Sequence, residues 1–287
     1  MTVAATAGDR LRQSLQRAVE GGDVVPFIGI HDLFSASLAA NHFEALFLSG
    51  FGLAASSYGL PDIGFIGWGD LINSTTRLRA QLPDHHLLVD LDDGFGDGAV
   101  ASHVARTLER CGASGVVLED QARPRRCGHL DGKRLLPLGE YLDKLDAVLR
   151  ARSSLVVVAR TDATDPEAIL ERIQAFERAG CDAVLADGIR DLALIARLGQ
   201  ATNLPLFCNV IGGGRVPACS RRDLAGHGVR GLIYSTPCLF AAHGAIAQAV
   251  EQLRDDTKDL AESLRAERSL ADCNALLQAN LRREGLG

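Results

Sequence analysis

LVVVART, residues 155–161, is five apolar residues closed by an arginine. An unbroken apolar run of this length is what a parallel strand covered on both faces requires. Working outward, the same signature recurs before it in VVPFIGI (24–30), ALFLSG (45–50), LLVDLD (87–92) and GVVLED (115–120). After it come AVLAD (183–187), PLFCNV (205–210) and GLIYST (231–236). Segments of helical periodicity separate these runs. Val100, Val104, Leu108 and Cys111 form one stripe, with Gly112 placed as a C-terminal cap. Another helix is expected from Thr164 or Asp165 to Gly180, with Pro166 and Glu167 in its first turn and Ile169, Ile173 and Phe176 on its apolar face. Eight strands alternating with helices predict an α/β fold, a (β/α)8 barrel of the TIM type, with a doubly wound open sheet as the competing topology.

With 287 residues, 47% of them hydrophobic, the chain can bury the core of one such barrel, so residues 1–287 are expected to form a single domain. The barrel is expected over about 24–255, with one added helix before it, Arg10 to Ala18, and a helical extension over about 256–287. That extension carries a stripe of Leu260, Leu264, Leu270, Leu277 and Leu281, which a partner subunit would cover most simply. Residues 1–11 hold no apolar stretch long enough for a secretory signal, and no run spans a bilayer, so a soluble, cytoplasmic protein without membrane contact is expected. A formal charge of −6 without a basic run argues against nucleic acid as a partner and leaves a small molecule. Seven cysteines are scattered without a close pair, which fits reduced thiols rather than disulfides or a zinc site.

In a barrel of this type the active site lies at the C-terminal strand ends, and here these are polar: Ser49, Asp90 with Asp92, Glu119 with Asp120, Arg160 with Asp162, Asp187, Asn209 and Ser235. Strand ends meeting water would account for any one of them. The whole set converging on one mouth is costly unless it binds something. Asp90 and Asp92, two apart on an extended segment, would point the same way, and their repulsion is relieved by a hard divalent cation. Glu119 would complete an oxygen-rich site suited to Mg2+ or Mn2+. Capping of the following helix is the alternative use of these acids; it suits Asp97 and not Asp90. Arg160 is placed to grip a carboxylate in two-pronged fashion, or else to pair internally with Glu119 or Asp187. Cys127 lies in RPRRCGHLDGKRL, where Arg125, Arg126, His129, Lys133 and Arg134 would stabilise a thiolate for proton transfer. For the other six cysteines packing is reading enough. His85 and His86 fall in a polar loop, and Asp32 reads as a helix cap.

HDLFSA (31–36), SGFGLAASSYGLPD (49–62), DLDDGFGD (90–97), LEDQ (118–121), PRRCGHLDGKRL (124–135), ARTDA (159–163) and CNVIGGGRVP (208–217) together resemble the isocitrate lyase and phosphoenolpyruvate mutase superfamily, from about Pro26 to Ala242. The resemblance implies a metal site of Asp90, Asp92 and Glu119, and backbone donors at Ser49, Gly50 and Phe51 for a substrate carboxylate. It also implies Arg160 on the same end of the substrate, and Cys127 as acid/base on a loop shared with Gly128 and His129. Asp187, Asn209 and Ser235 complete the implied substrate-binding set. The CGH signature favours the lyase branch, making or breaking a carbon–carbon bond in a 2-hydroxy or 2-oxo dicarboxylate of methylisocitrate, dimethylmalate or oxaloacetate type. The same loop is similar to that of carboxyphosphonoenolpyruvate phosphonomutase, the second reading. A third is a barrel that has lost catalysis and serves binding or assembly, because Asp187 and Gly212 stand where the family carries glutamates. Ser235 replaces a proline and is similar to the serine of the oxaloacetate hydrolase branch. The family also implies a dimer or tetramer that exchanges its last helix between subunits.

Overall fold

A computed structural model describes residues 5–128, 132–215, 219–254, 259 and 269–283. Eight parallel strands close on themselves in sequence order: β1 (Val25–Ile30), β2 (Ala45–Leu48), β3 (His86–Asp90), β4 (Gly115–Glu119), β5 (Val156–Thr161), β6 (Ala183–Ala186), β7 (Leu206–Val210) and β8 (Val229–Tyr234). The register Phe27↔Ile233 and Ile28↔Tyr234 joins β8 to β1, which excludes the open sheet. Helices wrap the barrel: α1 (Ala7–Gly21), α2 (Leu33–Ala39), α3 (Gly50–Tyr58), α4 (Trp68–Gln81), α5 (Gly98–Arg110), α6 (Leu138–Ala151), α7 (Pro166–Ala179), α8 (Leu192–Ala201), α9 (Arg221–Gly226), α10 (Pro237–Gln252) and α11 (Leu270–Arg283).

Local chemistry sets the boundaries. The Asp165 carboxylate caps α7 by accepting from the Ala168 N–H, and Gly180 ends it at φ +88, a left-handed turn that glycine enters without strain. Asp32 caps α2 and Asp97 caps α5, both as expected. Every strand is offset by a residue or two from its expected run, β8 most evenly, at Val229–Tyr234 rather than 231–236, and the shifts of the second and third strands have a clear consequence. The second stops at Leu48 because Ser49 turns to cap α3, its hydroxyl accepting from the Gly52 N–H at 3.1 Å. The third runs His86–Asp90, so His86 is a buried strand residue rather than part of a polar loop. Helix α1 is longer than the expected Arg10–Ala18 and starts with a reciprocal cap between Thr6 and Asp9.

Strand periodicity then sorts the interior. Phe27, Ala45, Phe47, Leu88, Val117, Val156, Val158, Ala183, Leu185, Phe207 and Ile233 meet inside the barrel, and Leu11 and Leu15 of α1 join them as a plug. The other buried strand residues, among them Val116, Val157 and Val184, pack against the surrounding helices. Helices α10 and α11 bury none of their residues; Ile246, Val250, Leu270 and Leu277 lie exposed, Leu270 by 78%. Leu260 and Leu264 of the expected stripe lie outside the described residues. Among the described residues no helix is long and apolar enough to cross a membrane.

Candidate active site

Two residues beyond the inner apolar layer, seven of the eight strands, β2 to β8, present a next inward position where the chemistry changes. Phe47 is followed by Ser49, Leu88 by Asp90, Val117 by Glu119, Val158 by Arg160, Leu185 by Asp187, Phe207 by Asn209 and Ile233 by Ser235. All seven are buried. Six of them line one cavity at the mouth together with Phe51, Asp62, Arg125, Cys127 and Gly128, and Glu119 joins them through its ion pairs. The sequence-expected residues are thus brought together, except His129, which lies outside the described residues.

Arg160 is the hub. Its guanidinium is 2.7 Å from Asp187, 3.3 Å from Glu119 and 3.0 Å from Asp162, so the internal pairing weighed from sequence is present. From Asp187 the network continues through the Asn209 side-chain amide, which donates to it at 3.0 Å, and the Ser235 hydroxyl, which donates to Asn209. Asp120, by contrast, serves the scaffold: it accepts from the Thr161 hydroxyl at 2.6 Å and the Asp162 N–H at 3.0 Å, and pairs with Arg172.

Asp90 and Asp92 do face the same way, for a different reason than an extended strand. The strand ends at Asp90, and Asp92 sits at φ +52, a left-handed conformation that is costly for a residue with a side chain. That turn brings its carboxylate beside Asp90: a Cβ built on Gly50 would meet Asp90 Oδ2 at 3.1 Å and Asp92 Oδ1 at 3.2 Å. Of the three expected backbone donors, Gly50 N–H is directed to Asp90 Oδ2 at 3.3 Å, Ser49 caps α3, and Phe51 packs edge-on against Phe240.

The segment carrying Cys127 is folded over this mouth. The Gln121 side-chain amide grips the Arg126 peptide from both sides, donating to its carbonyl at 2.7 Å and accepting its N–H at 2.9 Å. Lys133 donates to the Gly128 carbonyl and pairs with Asp162 at 3.2 Å. Gly128 lies directly on the Arg160–Asp187 pair; a Cβ there would also come within 2.7 Å of Asp162 Oδ1, so only glycine fits. Several basic residues expected around the thiol also have partners of their own. Arg134 donates to the Arg123 carbonyl, and Arg125, 2% exposed, pairs with Asp62 at 2.5 Å, Glu119 at 2.9 Å and Asp92 at 3.1 Å. Asp62 closes the 49–62 motif but follows α3 rather than a strand, so strand-end polarity gives it no role, and nothing local indicates the direction of Arg125.

Among the described residues, six carboxylates (Asp62, Asp90, Asp92, Glu119, Asp162 and Asp187) face three cations (Arg125, Arg160 and Lys133). Burial raises the pKa of Asp90, raises that of Asp92 well above the ordinary carboxylate value, and pushes Glu119 up to about 7, with Arg125 and Arg160 opposing in each of the clusters they touch. Asp90 Oδ1 and Asp92 Oδ2 are buried and accept no hydrogen bond. Hard oxygen donors, in charge excess and partly unpartnered, fit a divalent cation by chemistry. No three of the described acidic, histidine or cysteine side chains stand ready as its ligands, and the Arg125 guanidinium lies between the oxygens.

A family model described as phosphoenolpyruvate phosphomutase matches residues 15–254. The chain belongs to this family, within the phosphoenolpyruvate mutase and isocitrate lyase superfamily. Among curated relatives of the superfamily, the 2-methylisocitrate lyase of Bacillus subtilis (strain 168) is 34% identical over 251 residues, 85% of this chain and 81% of that protein. Among solved structures, a 2,3-dimethylmalate lyase superposes with a TM-score of 0.89 at 27% identity, covering 98% of this chain and 95% of that one. A phosphonopyruvate hydrolase in complex with oxalate and Mg2+ superposes with a TM-score of 0.82 at 26% identity over 97% of each chain. Superfamily members sharing this barrel therefore include proteins named for both carbon–carbon and carbon–phosphorus chemistry.

Proposed function

We propose that the protein is a carbon–carbon lyase acting on a small 2-hydroxy or 2-oxo dicarboxylate. The observation that carries this reading is the convergence of Cys127, Arg160 and the Asp90 cluster on one buried cavity beneath the Gln121-clamped segment. The relatedness to a 2-methylisocitrate lyase and a dimethylmalate lyase supports it.

Arg160 binds a substrate carboxylate by exchanging part of its present pairing for it, since a guanidinium offers planar, two-pronged donation. Ser235, Asn209 and Asp187 form the polar wall that orients the substrate hydroxyl or carbonyl, with Ser49, Gly50, Phe51 and Gly128 completing the enclosure. When the carbon–carbon bond of a 2-hydroxy acid breaks, its hydroxyl proton leaves to a carboxylate of the cluster and the bonding electrons pass to the fragment whose own carboxylate delocalises them. The Cys127 thiol returns a proton to that carbon, and the covering segment keeps water away meanwhile. His129 is assigned to the same proton transfer on sequence grounds. Asp90, Asp92 and Glu119 would hold Mg2+ or Mn2+, which when bound supplies positive charge opposite the substrate's oxygens. The exposed apolar residues of α10 and α11 support a homo-oligomer in which a second copy covers them, by exchange of the last helix.

A phosphonomutase is the second reading, favoured by the family description and by the phosphonopyruvate hydrolase likeness. Proton and phosphorus NMR of the purified protein with Mg2+ against methylisocitrate, dimethylmalate, oxaloacetate and phosphonopyruvate separates them. Pyruvate, succinate or oxalate appearing without a new phosphorus signal supports the lyase; a new phosphorus signal alone replaces it with the mutase.

A further inference from the structure

Arg125 enters the carboxylate cluster from a loop and is almost completely buried there, its side chain 2% exposed. It lines the same cavity as Cys127 and pairs with acids from three separate places in the fold: Asp62 after α3, Asp92 after β3 and Glu119 at the end of β4. Two of those acids, Asp92 and Glu119, belong to the set read above as holding a divalent cation, and the third, Asp62, lies in the same cavity. Burying a guanidinium is costly unless paired, and here each of its paired carboxylates is itself buried or nearly so, so the partners compensate one another. A divalent cation at Asp92 and Glu119 would bring a second positive centre against the same oxygens, and like charges at such separations repel strongly in a poorly hydrated site.

We infer that Arg125 is the cluster's internal counter-ion and competes with the divalent cation for Asp92 and Glu119. The inference rests on the cation reading given above and adds to it a residue that sets how tightly the ion is held. Arg125 thereby ties occupancy of the metal site to the position of the segment that bears Cys127, two residues along the chain. The cation enters as Arg125 withdraws to Asp62 or to solvent, and a protein lacking the guanidinium holds the ion more firmly. Arg125 acts here as a positioning residue, through the carboxylates it pairs with.

The test is Mn2+ binding to the full-length protein, followed by electron paramagnetic resonance of the free ion, with no substrate present. Arg125→Gln is expected to bind Mn2+ at least tenfold more tightly than the wild type. Arg125→Lys, which keeps the charge, is expected to stay within about threefold of the wild type. Should Arg125→Gln fold only when Mn2+ is supplied, the ion is replacing the lost charge and the inference is supported. Should it not fold at all, an affinity of Arg125→Lys equal to the wild type supports the inference, and a weaker one overturns it. Equal or weaker binding by a folded Arg125→Gln overturns it while leaving the cation site in place. Absence of binding in wild type and variants alike removes the cation reading itself, and this inference with it.

Discussion

Within the barrel, two inward layers only two residues apart behave as different materials. The lower layer, Phe27, Phe47, Leu88, Val117, Val158, Leu185, Phe207 and Ile233, is apolar, and Leu11 and Leu15 of α1 seal it. The upper layer, Ser49, Asp90, Glu119, Arg160, Asp187, Asn209 and Ser235, is polar or charged and equally buried. Both layers ride on the same strands, so backbone geometry does not distinguish them. The lower layer gains stability from removing apolar surface from water, whereas the upper layer gives up part of that gain to hold ionised groups that must find one another or a ligand.

The largest expected effect separates the layers by charge. Arg160→Met removes the guanidinium that Glu119, Asp162 and Asp187 share and leaves the buried cluster with more excess negative charge, which should lower stability by about 4 kcal/mol in urea unfolding. A loss under about 1 kcal/mol would mean that the upper layer is not held by this hub. Leu11→Ala opens a cavity in the plug and should cost about 3 kcal/mol, while the turnover of the molecules that remain folded is unchanged. A fall in that turnover would show the lower layer reaching into catalysis.

Acid titration sharpens the same contrast at the foot of the barrel. Burial holds the His86 imidazole down at about 4, with the Ser14 hydroxyl 2.9 Å from its Nε2. The unfolded chain has the ordinary value near 6.5, so between these limits it binds a proton that the folded chain refuses. Stability present above pH 6.5 should therefore decline as pH falls toward 4, by about 2 kcal/mol, and His86→Gln should flatten that part of the profile. The smallest effect is Asp97→Ala, which removes the cap of α5 outside both layers; it should cost about 1 kcal/mol in thermal unfolding and nothing in rate.

How far sequence reached follows the same division. Unbroken apolar runs revealed all eight strands, because full burial leaves composition no freedom, and cap residues such as Asp165 and Gly180 marked a helix at both ends. Strand-end polarity located Asp90, Arg160, Asn209 and Ser235, since period two carries the inward face forward into the mouth. What it missed depends on pairing across long separations. Asp62 and Arg125 meet across 63 positions with no periodic pattern on either side. The left-handed turn at Asp92 and the burial of His86 are tertiary outcomes that local composition does not encode.

The most direct test of the account is the turnover of Cys127→Ala in the NMR assay with Mg2+ and whichever dicarboxylate the wild type cleaves. Loss of a positioned proton donor predicts a rate lower by roughly 10²–10⁴-fold, with the thermal midpoint unchanged because Cys127 is half-buried and no part of the barrel core. Turnover equal to the wild type would contradict the assignment of Cys127 as the group that returns the proton.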